Sequence, residues 1–309
     1  MHPFTGTPGD SVAALGELKL IEAIRRWLGP ASPRTPFGIG DDCAVLPRSR
    51  GPQLITVDPV IFGRHFDASV PPRAVGAKLL KRNLSDIAAM GGKPTAAVLA
   101  LTLDAAVDVR WLEAFYRGLA ACALTYRVAV VGGDIAQAPG VLAATLTLLG
   151  ESTGKRVLTR TGGRIGDSIF VTGALGNSLK SGHHFRFKPR LAEGAWLARQ
   201  REVRAMMDVS DGLAKDLHAL TPAGARPALN AAALPRRGQI DLRAVLTDGE
   251  DYELVFIVAA GTNLAGWQRR WQRAFPRTPL TQIGRLVPPG DATAGTVDLS
   301  AYHGYEHLR

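Results

Sequence analysis

The chain is poor in the residues that build disulfide frameworks and zinc sites. It contains 2 cysteines, Cys43 and Cys122, and 7 histidines among 309 residues. Two cysteines cannot make a disulfide framework, and their spacing offers no paired metal ligands. With so few histidines beside them, we expect no zinc site. Cysteine usage of this kind favours a reducing, cytoplasmic location.

Long apolar runs are also missing. No stretch approaches the ~20 apolar residues that a membrane-spanning helix needs, and the N-terminus lacks the basic region and apolar core of a signal peptide. We therefore expect no membrane association and no leader. Hydrophobic residues still make up 46% of the chain, which excludes a disordered protein. At roughly 100–200 residues per domain, the length predicts two domains.

Acidic residues are outnumbered by basic residues. The chain has 37 Lys and Arg residues against 27 Asp and Glu residues, which gives a formal net charge of +10. A basic surplus can serve nucleic acid, membranes or anionic small molecules. Here it is scattered, and its densest clusters, at 199–204 and 267–273, lie on helix-like stretches that otherwise suit a packed face. We expect a solvated arginine-rich surface and no nucleic-acid partner.

Hydrophobic periodicity predicts strands and helices that alternate along the chain. Helices are expected at 15–28, 72–90, 109–126, 191–204, 213–220 and 264–275. Strands are expected at 44–46, 53–58, 96–103, 127–131, 141–149, 168–172, 205–208, 252–258 and 282–286. This alternation is typical of an α/β or α+β fold. A stretch rich in Gly, Thr and Arg at 150–166 indicates a boundary between two domains, 1–155 and 156–309.

The positions of the acidic residues are the most informative feature. Most of them lie at the end of a predicted strand or the start of a helix, each next to Gly, Ser or Thr. Carboxylates there stay accessible, and glycine lets a ligand approach the backbone closely. The six acidic sites are Asp42, Asp58, Asp86, Asp134, the Asp208–Asp211 pair and the 248–251 segment.

Carboxylates that converge on one cleft repel one another unless cations lie between them. Mg²⁺ suits such a site because it takes hard oxygen ligands and bridges carboxylates to substrate phosphates. Each residue alone has a structural alternative, with Asp211 as a helix N-cap, Asp134 as a turn former and Asp58 as a strand terminator. Six acidic sites together favour a magnesium–phosphate site.

Two glycine-rich segments have the beginnings of nucleotide-binding motifs. Gly38-Ile-Gly40 lacks the third glycine of a dinucleotide fingerprint, and no clear strand precedes it. The 150–156 segment is one residue short of a P-loop and lacks a Ser or Thr after its lysine. No protein-kinase signature is present. Any use of ATP would therefore need another architecture.

Eight segments resemble one known family and run in its order over almost the whole chain. They are Gly38-Ile-Gly-Asp-Asp-Cys-Ala-Val-Leu46, Asn83-Leu-Ser-Asp-Ile-Ala-Ala-Met-Gly91, Val131-Gly-Gly-Asp134, Leu158-Thr-Arg160, 166–173, Asp208-Val-Ser-Asp-Gly-Leu213, Gly249-Glu-Asp-Tyr-Glu-Leu254 and 304–307. The chain resembles the thiamine-monophosphate kinases, of the aminoimidazole-ribonucleotide-synthetase-like ATP-binding superfamily.

The resemblance implies a fold, a reaction and an assembly. The fold is α/β (α+β) with two domains, each a mixed sheet covered by helices. The N-terminal domain would bind ATP and Mg²⁺ and form the dimer, and the C-terminal one would be aminoimidazole-ribonucleotide-synthetase-like. The reaction is direct, Mg²⁺-dependent transfer of the ATP γ-phosphate to thiamine monophosphate, giving thiamine diphosphate and ADP. The assembly is a homodimer.

Residue roles follow from the same resemblance. Several Mg²⁺ ions would be held by Asp42, Thr56, Asp58, Asp86, Asp134, Asp208 and Asp211. ATP would contact Gly133, Asp134, Arg160 and Ser210. Thiamine monophosphate would contact His65, Glu250 and Tyr302. No side chain is required as a strong general base, because the acceptor is itself an ionised phosphate.

The chain departs from the family pattern at three points. Val57 stands where the family typically has a hydroxyl residue before the aspartate, and Phe62 where it often has Glu, followed by an unusual Arg64. The 176–184 stretch is also shorter than in relatives. Two alternatives therefore stay open: an enzyme of the same fold with another phosphoryl acceptor, and a non-catalytic nucleotide-binding relative.

Overall fold

The computed structural model describes residues 1–40, 43–49, 51–154, 156–291 and 296–306. The chain divides into two compact units. The first comprises Met1–Ile87 and Lys93–Glu151, and the second comprises Ala88–Gly92 and Ser152–Arg309. Asp42 lies outside the described residues, so the magnesium ligand expected there stays a prediction.

The first unit contains a four-stranded mixed sheet. Its elements are α1 (Val12–Leu15), α2 (Glu17–Leu28), β1 (Gln53–Ile61), α3 (Pro72–Ala89), β2 (Gly92–Leu103), α4 (Val109–Tyr126), β3 (Ala129–Gln137) and β4 (Leu142–Ser152). The strand order is β1-β4-β2-β3. β1 pairs with β4 antiparallel, and β2 pairs with β3 parallel.

Close packing of α3 against α4 builds the core of this unit. Proline at the first position of α3 suits a helix start, and Asp108 caps α4 by accepting hydrogen bonds from two backbone N–H groups. A Cβ on Gly76 would overlap with the carbonyl oxygen of Phe115, and one on Gly118 with that of Arg73. The two glycines therefore allow the helix backbones to touch.

The second unit contains a five-stranded sheet. Its elements are β5 (Ser168–Thr172), α5 (His183–Arg186), α6 (Leu191–Arg199), β6 (Val203–Asp208), α7 (Leu213–Leu220), β7 (Arg226–Leu229), α8 (Leu242–Thr247), β8 (Leu254–Val258), α9 (Leu264–Ala274) and β9 (Leu280–Val287). The strand order is β6-β8-β5-β9-β7. We expected a mixed sheet in each half, but the four pairings of this sheet are antiparallel.

Both faces of the second sheet are buried. Every residue of β8 is inaccessible to solvent, and its side chains alternate between two hydrophobic clusters. Val255 and Ile257 belong to the cluster that includes α7, whereas Phe256 belongs to the one that includes Trp267 and Trp271 of α9. Burial on both faces explains why β8 is a continuous apolar run.

One predicted strand is absent, and two other predicted elements are shorter than expected. Residues 44–46 form no strand, and Val45 and Leu46 are 52% and 42% exposed. The helix expected over 191–204 ends at Arg199, because the polar residues that follow offer no apolar face before β6 begins. The strand expected from Tyr252 begins two residues later, because Tyr252 has a left-handed φ of +52°. None of the helices in the described ranges combines the length and hydrophobicity that a membrane crossing requires.

Candidate active site

β1 and α3 present polar side chains to each other in the first unit. Thr56 and Asp58 share one face of β1, because side chains alternate along a strand. Arg82 and Asp86 are one helical turn apart on α3. The Thr56 hydroxyl donates a hydrogen bond of 2.5 Å to Asp86 Oδ2, and Arg82 Nη2 donates one of 3.3 Å to Asp58 Oδ1. Three predicted magnesium ligands thus lie on the helix-covered side of the sheet.

Two aspartates lie inside strands rather than at strand ends, which corrects the sequence interpretation. β1 continues beyond Asp58 through Pro59 to Ile61, and Asp58 pairs with Leu146 of β4. β1 is an edge strand, where a proline without an N–H group is tolerated. Asp134 lies within β3, the opposite edge, and its side chain is exposed. Neither residue is a strand terminator.

Gly133 is required by close contact between strands. A Cβ at this position would overlap with the carbonyl oxygen of Leu99 on β2. Gly133 and Asp134 open onto a cavity of about 500 Å³ within the first unit. Its other lining side chains are mostly apolar and come mainly from α2 and the sheet, with Tyr116 from α4. They include Ile21, Ile24, Leu28, Leu99, Tyr116 and Val130, with Glu17 as a further acidic residue.

Tyr116 is a candidate binding residue that sequence analysis missed. Its place in the helical pattern of α4 is that of a core residue, and it is only 3% exposed. The ring nevertheless borders the same cavity as Gly133 and Asp134. Only the tertiary structure distinguishes a residue that lines a cavity from one that fills the core.

His65 is held in the turn that follows β1. Its Nδ1 accepts a hydrogen bond of 3.1 Å from the backbone N–H of Ile61. Lys78, which is fully buried, donates from Nζ to the His65 carbonyl oxygen at 2.7 Å. Because Nδ1 is an acceptor, the proton of the neutral imidazole lies on Nε2. His65 is half-buried, and these two hydrogen bonds hold it in the turn.

The unusual residues beside His65 have separate environments. Phe62 packs edge-on against Phe4 and Phe66, with ring centroids 5.7 and 5.6 Å apart. Phe62 therefore belongs to an aromatic cluster that fastens the N-terminal segment to the end of β1. Arg64 is exposed in the same turn.

The second unit holds its predicted site residues around the loop after β6. Asp208 ends β6 and is 3% exposed. The buried carboxylate of Asp216 accepts hydrogen bonds from the backbone N–H groups of Ser210, at 2.9 Å, and Asp211, at 3.1 Å. Burial raises the pKa of Asp216 to about 7, and the charge of Asp211 contributes to the rise. Asp216 thus fixes the loop that carries three predicted ligands, although the sequence analysis did not single it out.

Lys215 lies beside this loop. Lys215 Nζ pairs with Asp211 Oδ2 at 2.8 Å. Arg160 is exposed, and its positive charge opposes the rise in the pKa of Asp216. Ser210 and Asp211 lie together in this loop, both hydrogen-bonded to Asp216.

The segment that carries Glu250 runs alongside the same loop. The Glu250 N–H donates to the Ser210 carbonyl at 2.7 Å, and the Tyr252 N–H donates to that of Val209 at 2.8 Å. Gly249 permits this contact, because a Cβ there would lie 2.7 Å from the Ser210 carbonyl oxygen. Glu250 is therefore held beside Ser210.

Tyr302 lies on the hydrophobic core of the second unit. Its ring is half-buried against the cluster that contains α7, and this contact alone explains an aromatic residue there. The segment that follows reaches the site, because the Tyr305 N–H donates to the Asp211 carbonyl at 2.9 Å. A Cβ on Gly304 would overlap with that same carbonyl oxygen. The C-terminal segment is thus fastened to the Asp211 loop.

The donor chemistry of the predicted ligands fits Mg²⁺. All of them offer carboxylate or hydroxyl oxygens, which this hard cation prefers. In the part of the chain that the structure describes, no group of three His, Cys, Asp or Glu side chains is close enough to form a complete metal site by itself.

The chain is similar to known proteins over most of its length. Residues 40–152 match the family described as AIR synthase related protein, N-terminal domain. The chain is 35% identical over 275 residues to the thiamine-monophosphate kinase of Rhodopirellula baltica, with 82% of this chain and 84% of the relative covered.

Solved structures show the same likeness. The crystal structure of thiamine-monophosphate kinase from Stenotrophomonas maltophilia K279a superimposes with a TM-score of 0.72 and 31% identity, covering 89% of this chain and 96% of that one. The structure of AaThiL complexed with AMPPCP and TMP gives a TM-score of 0.61 and 30% identity, covering 90% and 92%.

The two-sheet fold and the glycine and aspartate motifs define an AIR-synthase-related protein. Within that class, the chain belongs to the thiamine-monophosphate kinase family. The family resemblance and fold class expected from the sequence are therefore confirmed.

Proposed function

We propose that the protein is a magnesium-dependent kinase that transfers the γ-phosphate of ATP to thiamine monophosphate, giving thiamine diphosphate and ADP. The observation that carries this proposal is the similarity to AaThiL, which matches 90% of this chain and is complexed with AMPPCP and TMP. AMPPCP is an ATP analogue whose β–γ bridge resists cleavage. The likeness therefore favours the phosphoryl acceptor named by the family over the alternative acceptors.

The cavity of the first unit supports an ATP site there. Its volume of about 500 Å³ lies within the range of small-molecule pockets, and its apolar walls suit a nucleobase. Tyr116 borders it and offers an aromatic surface. Gly133 has no side chain to keep a ligand from the backbone, and Asp134 is exposed at the same wall. In the second unit, Ser210 and Arg160 would contact the phosphates.

Seven residues would hold the magnesium ions. They are Asp42, Thr56, Asp58, Asp86, Asp134, Asp208 and Asp211. When bound, Mg²⁺ neutralises phosphate charge and so allows two polyanions to approach. The residues themselves supply orientation. The hydrogen bond from Thr56 to Asp86 and the ion pair of Arg82 with Asp58 hold these carboxylates in place.

Thiamine monophosphate would contact His65, Glu250 and Tyr302. The backbone N–H of Ile61 donates to His65 Nδ1, which holds the imidazole ring in the turn after β1. Direct transfer then needs alignment and charge neutralisation rather than a strong base, because the acceptor oxygen is already ionised.

We also propose a homodimer formed through the open face of the first sheet. Helices cover the face that carries Thr56 and Asp58, whereas the other face carries exposed hydrophobic side chains. Ile55, Val57 and Val98 are 71%, 58% and 41% exposed. Neighbouring exposed apolar side chains on one sheet face are typical of an interface. We further propose a boundary between domains 1–155 and 156–309, and a cytoplasmic location where ATP is available.

The experiment that tests the function is formation of thiamine diphosphate by the purified protein from thiamine monophosphate and ATP, with and without Mg²⁺. We expect product only with magnesium. Binding of ATP without product would indicate another acceptor or a protein without turnover, and would contradict the proposal.

A further inference from the structure

Glu250 occupies a strained position in the second unit. Both Glu250 and Tyr252 have left-handed backbone conformations, with φ of +62° and +52°. Residues other than glycine rarely adopt this backbone conformation, so the surrounding structure must enforce it. The hydrogen bonds of both N–H groups to the loop after β6 do so.

The Glu250 carboxylate is held at both oxygens. His184 Nδ1 lies 3.4 Å from Oε2, and the Tyr252 hydroxyl donates to Oε1 at 3.4 Å. The side chains of His184 and Glu250 are 9% and 18% exposed. A carboxylate this sheltered needs polar partners, and those partners determine where it points.

The segment that supplies His184 is itself fastened to the Glu250 segment. The rings of Phe187 and Tyr252 stack at 4.1 Å, with an angle of 19° between them. His183 Nε2 lies 3.1 Å from the carbonyl oxygen of Asp251. Asp251 in turn accepts a hydrogen bond of 2.5 Å from Ser178. This contact set includes Ser178, His183 and His184 of the 176–184 stretch.

From this arrangement we propose that His184 and Tyr252 are positioning residues that aim Glu250 at the thiazolium and aminopyrimidine rings of thiamine monophosphate. The inference rests on the proposed function. A carboxylate repels the substrate phosphate, but it attracts the thiazolium cation and accepts hydrogen bonds from the aminopyrimidine amine. Glu250 therefore recognises the thiamine part of the substrate, and its contacts with His184 and Tyr252 set the affinity of the protein for thiamine monophosphate.

The test compares His184→Ala, His184→Asn and Tyr252→Phe with the intact protein. Loss of one positioning contact should weaken binding of thiamine monophosphate about 3- to 10-fold. KM for ATP should change by less than about 2-fold. Asn places an amide near the position of Nδ1 and should restore most of the loss. His218→Ala, at an exposed histidine on α7, is the matched control and should behave like the intact protein.

Calorimetry with unphosphorylated thiamine identifies the part of the substrate that Glu250 recognises. The variants should weaken binding of thiamine and of thiamine monophosphate by the same factor. Three results would overturn the inference: unchanged affinities, equal losses of affinity for ATP, or a loss restricted to the phosphorylated ligand. In each case, product formation by the intact protein would still support the proposed kinase function. If the His184→Ala variant does not fold, Tyr252→Phe tests the inference instead, because it keeps the ring stack with Phe187. An intact protein that neither binds nor phosphorylates thiamine monophosphate would instead refute the proposed function, and the inference with it.

Discussion

Thr56 donates a hydrogen bond of 2.5 Å to Asp86, and so joins the edge strand β1 to helix α3. Residue 57, where the family hydroxyl is missing, faces the other side of the strand and is 58% exposed. Alternation along the strand therefore separates the unusual valine from Asp58 and Asp86. Valine at position 57 leaves the oxygen donors on the helix-covered face intact. The proposed kinase function therefore does not depend on a hydroxyl at this position.

Thr56→Val should raise the magnesium concentration needed for half-maximal activity. The valine removes a hydroxyl that orients Asp86, at a cost in stability of about 1 kcal/mol. A magnesium titration of thiamine diphosphate formation measures the effect, and Thr56→Ser is the control that keeps the hydroxyl. An unchanged titration curve for the valine variant would remove Thr56 from the metal site.

Val57→Lys should weaken the dimer and leave the magnesium requirement unchanged. A charge at this position on the open sheet face would have to be desolvated at an apolar interface. Sedimentation analysis over a concentration series measures the association, and Val57→Thr serves as the mild control. If the unaltered protein is a monomer at every concentration, the proposed interface is wrong.

Gly133→Ala should impair ATP binding at least 10-fold and lower stability by about 1–3 kcal/mol. The added methyl group would collide with the carbonyl oxygen of Leu99 on β2. A backbone atom of a strand cannot move aside as the end of a flexible side chain can. Gly132→Ala is the matched control, since its Cβ would lie at an ordinary 3.5 Å from Val98. Equal ATP affinities in the two variants would show that position 133 is only structural.

The sequence predicted the family and the strongly periodic elements well. The helix at Val109–Tyr126 and the strand at Ser168–Thr172 have the bounds that the pattern indicated. Their apolar residues recur over whole elements, so local periodicity suffices. The four-residue strand at Arg226–Leu229 was missed, because a segment that short carries too little periodicity.

The contacts of the site were harder to foresee. Asp216 looks like a polar helix residue in sequence, and its role depends on the loop that folds back onto it. His184 and Glu250 are distant in sequence and meet where Phe187 packs on Tyr252. Such contacts depend on tertiary structure, whereas a motif reveals only which residue types are present.

Asp211→Asn should abolish product formation with little loss of stability. The substitution removes a negative charge that magnesium requires, while the backbone N–H that binds Asp216 remains. Product formation and thermal unfolding are the two measurements. Asp241→Asn is the control, because Asn also serves as an N-cap for α8. A fully active Asp211→Asn enzyme would contradict the metal assignment.

Asp216 should make stability depend on pH in the absence of magnesium. Its pKa is about 7 in the folded protein and 3.8 as an ordinary carboxyl, so the folded state binds the extra proton between these values. The free energy of unfolding should therefore fall as pH rises from about 4 to 7, by up to about 1.4 kcal/mol per pH unit from this group. Urea unfolding of the intact protein and of Asp216→Asn at several pH values isolates the contribution, since the amide does not titrate. The free energy of unfolding could instead depend on pH equally in both proteins. Asp216 would then be ionised in the folded protein at low pH, and a charged carboxylate rather than a protonated one would hold the loop after β6.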